Sequence, residues 1–257
     1  MRLKLKQKKM EFHKLHGLGN DFMLIDGREC IALPKLESIQ SWGDRRTGVG
    51  FDQLIYVDVI DSQLHYRFFN ADGTEAEQCG NGQRALALYL QRSGWCDWPV
   101  SVLGLGGEVI LNYANDDEIE VTLNVKVKTE VKGDGVSVDV GNPHWVKKQA
   151  NLDVVDWSIH ATQAESLFPQ GVNVELIEQM SGSEMRIRIN ERGVGETQAC
   201  GSGACAAAWA GHILYGMSER IKVHMPGGSL IIVCDVNHDR ISLIGPARYV
   251  YQGEIES

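Results

Sequence analysis

Two cysteine-bearing turns open the two most helix-like stretches of the chain. Gln78-Cys79-Gly80-Asn81-Gly82 runs into Arg84-Ala85-Leu86-Ala87-Leu88-Tyr89-Leu90, and Ala199-Cys200-Gly201-Ser202-Gly203 runs into Ala204-Cys205-Ala206-Ala207-Ala208. The polar residues around them recur at matching distances. Asn20 precedes Cys79 by 59 residues and Asn142 precedes Cys200 by 58; Gln53 and Asn173 precede them by 26 and 27, and Asn70 and Asn190 by 9 and 10. Gly106-Gly107 and Gly227-Gly228 each begin 27 residues after their cysteine. A repeat of this kind means that one supersecondary unit is used twice. The expected organisation is therefore two pseudo-symmetric units, residues 11–126 carrying Cys79 and 127–245 carrying Cys200. Residues 246–257 would pack back on the first unit.

Each unit offers several short alternating strands, turn residues between them, and one strongly apolar helix. The natural packing is α+β, a mostly antiparallel sheet wrapped around a central helix, with the active-site cleft between the two units. A chain of 257 residues is long enough for two such cores. The net charge of -9 argues against nucleic acid as a partner, because phosphate contacts need an excess of Lys and Arg. No apolar run reaches the roughly 18 residues of a membrane span. Residues 1–10 are a basic extension with no hydrophobic signal core behind it. Six cysteines without a CxxC pair fit reduced cytoplasmic thiols, and Cys30, Cys96, Cys205 and Cys234 are expected to be packing residues.

Cys79 and Cys200 are different. Each sits where a helix begins, where unsatisfied amides and the helix dipole favour negative charge. Such a setting can lower a thiol from about 8.5 into the range of roughly 3.5 to 7.5. One activated cysteine would suggest acyl transfer, but no base is marked beside Cys79. Two equivalent thiols on opposite faces of one carbon suit stereoinversion: a thiolate removes a proton and a thiol returns one from the other side. The amides of Gly80-Asn81 and Gly201-Ser202 would then receive a substrate carboxylate. Asn20 is a turn former or a polar group aimed at a ligand. His144, Glu191 and Arg192 lie beside the repeated elements and are candidates for a substrate role. No cluster has metal-ligand spacing and no dinucleotide or P-loop pattern is present, so neither metal nor cofactor is expected.

Taken together, several stretches resemble the diaminopimelate epimerase family, whose members work without pyridoxal phosphate. They are His16-Gly17-Leu18-Gly19-Asn20-Asp21-Phe22, Gly50-Phe51-Asp52-Gln53, Phe69-Asn70-Ala71-Asp72-Gly73, Gln78 to Gly82, Gly141-Asn142-Pro143-His144, Val172-Asn173, and Glu191-Arg192-Gly193 through Cys205. The resemblance implies interconversion of LL- and meso-2,6-diaminoheptanedioate, with Cys79 and Cys200 as the acid/base pair. It implies that Asn20, Gln53, Asn70, Asn142, Asn173, Glu191 and Arg192 hold the substrate. Its α-carboxylate would lie on the amides of Gly80, Asn81, Gly201 and Ser202, while His144 and Glu191 assist near the thiols. It also implies a cytoplasmic homodimer serving lysine and peptidoglycan-precursor synthesis. Gly171 stands where many members have Arg, and Ala85 and Trp145 also depart from the common pattern. Two other readings use the same residues: a proline-racemase-like epimerase, and a non-catalytic amino-acid binding module whose paired cysteines form a redox switch.

Overall fold

A computed structural model describes residues 9–28, 32–124 and 126–256. They fall into two compact units, one running to Asp116 and resuming at Ala247, the other spanning Asp117–Pro246. The first unit is built from β1 (Lys9–Gly17), β2 (Asn20–Asp26), α1 (Leu36–Gly43), β3 (Gln53–Ile60), β4 (Gln63–Asn70), β5 (Glu75–Ala76), α2 (Gly80–Ser93), β6 (Val100–Gly104) and β7 (Gly107–Tyr113). The second begins with β8 (Ile119–Asn124) and β9 (Lys128–Lys132). It continues through β10 (Gly135–Asp139), β11 (Pro143–Lys148), α3 (Trp157–Leu167), β12 (Asn173–Gln179), β13 (Glu184–Glu191), β14 (Gly195–Thr197), α4 (Gly201–Tyr215), β15 (Arg220–Met225), β16 (Gly228–Asp235) and β17 (Arg240–Gly245). The last strand, β18 (Arg248–Glu256), belongs to the first unit and runs antiparallel to β1.

The fold is α+β, and the internal repeat is visible in the strand pairings. β1 is antiparallel to β2, β2 parallel to β3, β3 antiparallel to β4, β4 parallel to β6, and β6 antiparallel to β7. The strands β10, β11, β12, β13, β15 and β16 repeat these pairings step for step. The sheet of each unit is thus mostly antiparallel, as expected, with two parallel pairs set into it. Its parallel pairs arise because β2 reaches β3 through a crossover containing α1, and β4 reaches β6 through one containing α2.

The register also corrects one correspondence. Gln53 pairs with Asn70, whereas Val174 pairs with Asn190, so the residue across from Asn173 is Glu191. Glu191, not Asn190, is the counterpart of Asn70, and each precedes its cysteine by nine residues. The unit boundary differs as well. β8 pairs with β17 from Ile119↔Gly245 onward and so lies in the second unit. Its buried residues Ile119, Val121 and Leu123 fix which face turns inward, but alternation cannot say which neighbour supplies the cover. At the other end, Lys9 and Met10 already belong to β1, with Lys9 Nζ 2.6 Å from Glu254. Residues 1–8 and Cys30 lie outside the described residues.

The two sequence copies also exchange strands. The pairings divide the repeat at β9 rather than at residue 126, with β1 to β9 matching β10 to β18, so that β9 of the first copy pairs with β10 of the second and β18 of the second with β1 of the first.

At the centre of each unit is a helix with almost no exposed side. Every residue of α2 from Asn81 to Leu90 is buried, as is every residue of α4 from Gly203 to Gly211. α2 touches β1, β2, β3, β7 and β18, while α4 touches β10 to β13 and β15 to β17. A helix buried on all sides is stable only as a core element, and the polar residues inside α2, Asn81, Gln83 and Arg84, are hydrogen-bonded. In α4 the alanines supply high helix propensity and let the strands approach closely. Both helices stop at a left-handed glycine, Gly94 with φ 66° and Gly216 with φ 67°, whose amides bond back to the last turn. Both start from an extended cysteine, Cys79 with φ -149° and Cys200 with φ -133°. α1 and α3 cover outer apolar clusters, with Ile39 and Trp42 against Phe51 and Leu54, and Leu167 against Trp145 and Leu176.

Close approach at the helix start requires glycine. A Cβ on Gly82 would lie 2.8 Å from the Phe68 ring and 3.1 Å from that of Phe22. Gly82→Ala is therefore expected to destabilise the protein by about 1–3 kcal/mol through overpacking, more than offsetting the roughly 1 kcal/mol of added helix propensity. A lower urea midpoint for this variant would show it; a midpoint at or above that of the parent would refute the tight fit.

Candidate active site

In the first unit Asn20 meets the start of α2, while Gln53 and Asn70 meet each other. Cys79 is the N-cap of α2: Gly82 N–H donates to Sγ at 3.4 Å, and the thiol reaches Asn20 Oδ1 at 3.5 Å. Asn81 Nδ2 also donates to Asn20 Oδ1, at 3.4 Å, and Asn81 is held by the buried Arg84, whose guanidinium donates to Oδ1 at 2.7 Å. Gln53 Nε2 donates to Asn70 Oδ1 at 2.9 Å, across the β3–β4 pair. Gln53 Oε1 is buried with no hydrogen-bond partner among the described residues, an acceptor suited to a ligand N–H.

Asn20 itself is aimed by residues that the sequence did not single out. Its Nδ2 donates to Asp52 Oδ2 at 2.8 Å, and the Arg45 guanidinium bridges Asp52 and Asp21, at 2.7 Å to each. Lys14 completes the set by binding Asp21. Burial pushes the Asp21 carboxyl up, but its bonds to Arg45 and Lys14 outweigh this and hold it at about 2.

In the second unit the matching residues form a different network. Cys200 is buried and caps α4, with Sγ 3.4 Å from Ser202 Oγ. Asn142 Oδ1 lies 3.0 Å from His144 Nε2, and His144 Nδ1 is 2.6 Å from Glu175 Oε1. Asn173 bridges two segments, donating to the Pro143 carbonyl at 3.3 Å and accepting from the Arg192 amide at 2.9 Å. Thr197 Oγ1 donates to Glu191 Oε1 at 2.6 Å. The Arg192 side chain lies across Gly171, where a Cβ would meet its Cδ at 2.6 Å, so the glycine makes room for this arginine.

The thiols depart from the expectation drawn from helix starts alone. Burial pushes the Cys200 thiol well above the ordinary cysteine range, and the charge of Glu191 adds to it; the Ser202 hydroxyl and Gly203 amide pull the other way but are outweighed. The dipole argument assumed water at the helix start, and desolvation reverses its sign. Cys205 and Cys234 are fully buried, and burial pushes Cys234 up to about 12. Cys96 is only partly buried. Among the described residues, no group of three or more His, Cys, Asp or Glu side chains could hold a metal ion, and no helix is long and apolar enough to cross a membrane.

Seven residues of these networks were not candidates from the sequence: Lys14, Asp21, Arg45, Asp52, Arg84, Glu175 and Thr197. Glu175 did leave a signal, since it is a carboxylate inside the apolar strand Val174-Glu175-Leu176-Ile177 and is wholly buried.

With its duplicated fold and a cysteine at the start of each buried helix, the chain is an isomerase of the epimerase and racemase class. The model of the diaminopimelate epimerase family matches residues 12–131 and 136–250, and the chain belongs to that family. Solved structures share the fold at low identity. A PhzF-family phenazine biosynthesis protein from Bacillus anthracis aligns over 97% of this chain and 100% of that one, with a TM-score of 0.73 and 15% identity. A hydroxyproline epimerase from Agrobacterium vitis, with bound trans-4-OH-L-proline, aligns over 100% of this chain and 94% of that one (TM-score 0.68, 11% identity). A probable proline racemase from Agrobacterium radiobacter aligns over 96% and 92% (TM-score 0.71, 12% identity).

The clamp on Asn20 can be read by acid titration. Because Asp21 sits at about 2 in the folded state and near 3.9 in an unfolded chain, its stabilisation is complete above about pH 4 and is lost as pH falls toward 2. Wild type should therefore lose about 1–2 kcal/mol more than Asp21→Asn between about pH 5 and 2.5. Parallel urea-midpoint curves for the two proteins would show that the clamp does not act in this way.

Proposed function

We propose that the protein interconverts LL- and meso-2,6-diaminoheptanedioate, Cys79 and Cys200 serving as proton acceptor and proton donor in roles that exchange with the direction of reaction. The observation that carries this reading is the matched placement of a cysteine as the N-cap of a buried helix in each unit of a diaminopimelate epimerase family chain. The first amides of an α-helix have no acceptor within the helix. The N–H groups of Gly80, Asn81, Gly201 and Ser202 are thus suited to a carboxylate, whose charge grows as the α-carbon ionises.

The remaining polar residues divide the recognition. Gln53 Oε1 offers an acceptor to an ammonium, and Asn20, Asn70, Asn142 and Asn173 are each fixed by partners of their own. Glu191 and Arg192 supply charge for the far end of a substrate that carries an amine and a carboxylate there. His144 and Glu191 flank the Cys200 half of the chemistry. The family relationship supports carrying over a cytoplasmic homodimer that serves lysine and peptidoglycan-precursor synthesis.

Incubating the reduced protein with LL-diaminopimelate in D₂O should yield the meso isomer with deuterium at the inverted α-carbon, read by mass spectrometry and chiral chromatography. Absence of uptake would sink the epimerase reading, and uptake with proline or hydroxyproline in its place would redirect it to that substrate class. Cys79→Ala and Cys200→Ala should each lose about 10²- to 10⁴-fold or more in turnover, the usual reach of a positioned acid or base. Near-parental turnover in either, with an unchanged circular dichroism spectrum, would refute the two-thiol scheme.

A further inference from the structure

The repeat lets each residue of one unit be set against its counterpart in the other. Phe22 lies beside Gln53 on β2 and β3, and His144 beside Asn173 on β11 and β12. Phe22 and His144 are therefore counterparts, and two residues beyond Gln53 and Asn173 so are Ile55 and Glu175. Below the first turn of α2 there is hydrocarbon, since Phe68 and Phe22 are the atoms nearest a Cβ on Gly82. Below the first turn of α4 there is a carboxylate. A Cβ on Gly203 would lie 2.9 Å from Glu175 Oε1 and 3.5 Å from Cys200 Cβ.

That carboxylate is built in with care. Glu175 and His144 both have no exposed side-chain surface, and they meet at 2.6 Å. The other ring nitrogen of His144 faces Asn142 Oδ1. Burial pushes the Glu175 carboxyl up, and the charge and hydrogen bond of His144 pull it back down. Glu175 Oε2 is buried with no hydrogen-bond partner among the described residues, so its charge is answered only by His144 and by the positive end of α4. Beyond burial, two carboxylates on neighbouring strands push the Cys200 thiol up, Glu191 from β13 and, to a smaller extent, Glu175 from β12. His144, from β11, acts through Glu175.

We propose that Glu175 is a positioning residue that makes the two thiols unequal. Seated below the first turn of α4 by its pairing with His144, its carboxylate lies beside the helix start without accepting from its amides and keeps Cys200 as a thiol in the resting protein, leaving Cys79 as the resting base. The inference rests on the reading that these two cysteines exchange protons with the substrate. It implies that the resting protein is ready for whichever stereoisomer turns its α-hydrogen toward Cys79.

The test is alkylation by iodoacetamide across a range of pH, with peptide mapping by mass spectrometry to follow Cys200 and Cys79 separately in one molecule. In wild type the midpoint of Cys200 should lie above that of Cys79. In Glu175→Gln it should fall by about one pH unit or more, about tenfold more thiolate at fixed pH, while that of Cys79 stays where it was. Should the single variant fail to fold, Glu175→Ile combined with His144→Phe reproduces the first unit's apolar pair and should show the same fall. A Cys200 midpoint unchanged in the folded variant, a shift shared equally by Cys79, or a wild-type order with Cys79 above Cys200 would each overturn the proposal. Turnover in D₂O without a moving midpoint removes the role of Glu175 alone. A moving midpoint without turnover leaves that role in place and removes the epimerase reading.

Discussion

A helix buried on every side can present only its ends to solvent, and this constraint governs both units. α2 and α4 run through their sheets with unbroken buried stretches, so their side chains are committed to packing. What is left over is the set of first-turn amides that no intrahelical carbonyl can satisfy. An extended cysteine at the cap places a sulfur beside those amides. The strands that enclose the helix place their own polar ends nearby: Asn20 begins β2, and Asn142 immediately precedes β11. The cysteine caps and the polar residues beside them are therefore set by the same packing that holds each core together.

Duplication supplied two equal frames, and the residues within them have diverged. In the first unit a carboxylate clamp of Asp21, Arg45 and Asp52 aims an asparagine at the thiol. In the second, a wholly buried imidazole and carboxylate take the place of aromatic and aliphatic side chains. A buried ion pair is seldom the most stable filling for such a space, because desolvation offsets much of the attraction. The pair is present at the α4 start, while aromatic rings lie at the α2 start.

Much of this was legible in the sequence because it depended on residues that tolerate no substitute. Gly82 and Gly203, three residues after each cysteine, are demanded by ring and carboxylate atoms within about 3 Å, and so the repeat survives in their spacing. What stayed hidden depended on three-dimensional surroundings. Helix-start electrostatics pointed to an acidic Cys200 thiol, but its burial, which no local motif encodes, reverses the direction. Glu175 lay inside an apolar strand without a visible partner, because His144 is 31 residues away in sequence. The match of Asn70 with Asn190 followed the shared amide, but the turn between β12 and β13 is one residue longer than that between β3 and β4, and the residue across from Asn173 is Glu191.

The strand exchange between copies has a topological consequence. β1 and β18 are antiparallel neighbours with Lys9 opposite Glu256, and they match β10 and β9, which a tight turn at Gly133 joins directly. The described chain is thus a ring of two equal arcs with a single nick where the second such turn would stand. Closing that nick and opening the ring at Gly133 would produce a circular permutant in which the two copies trade order while every strand keeps its neighbours. A chain cut only at that turn would instead yield two fragments, each holding a strand that the other needs. The molecule's integrity accordingly belongs to the ring and not to either repeat.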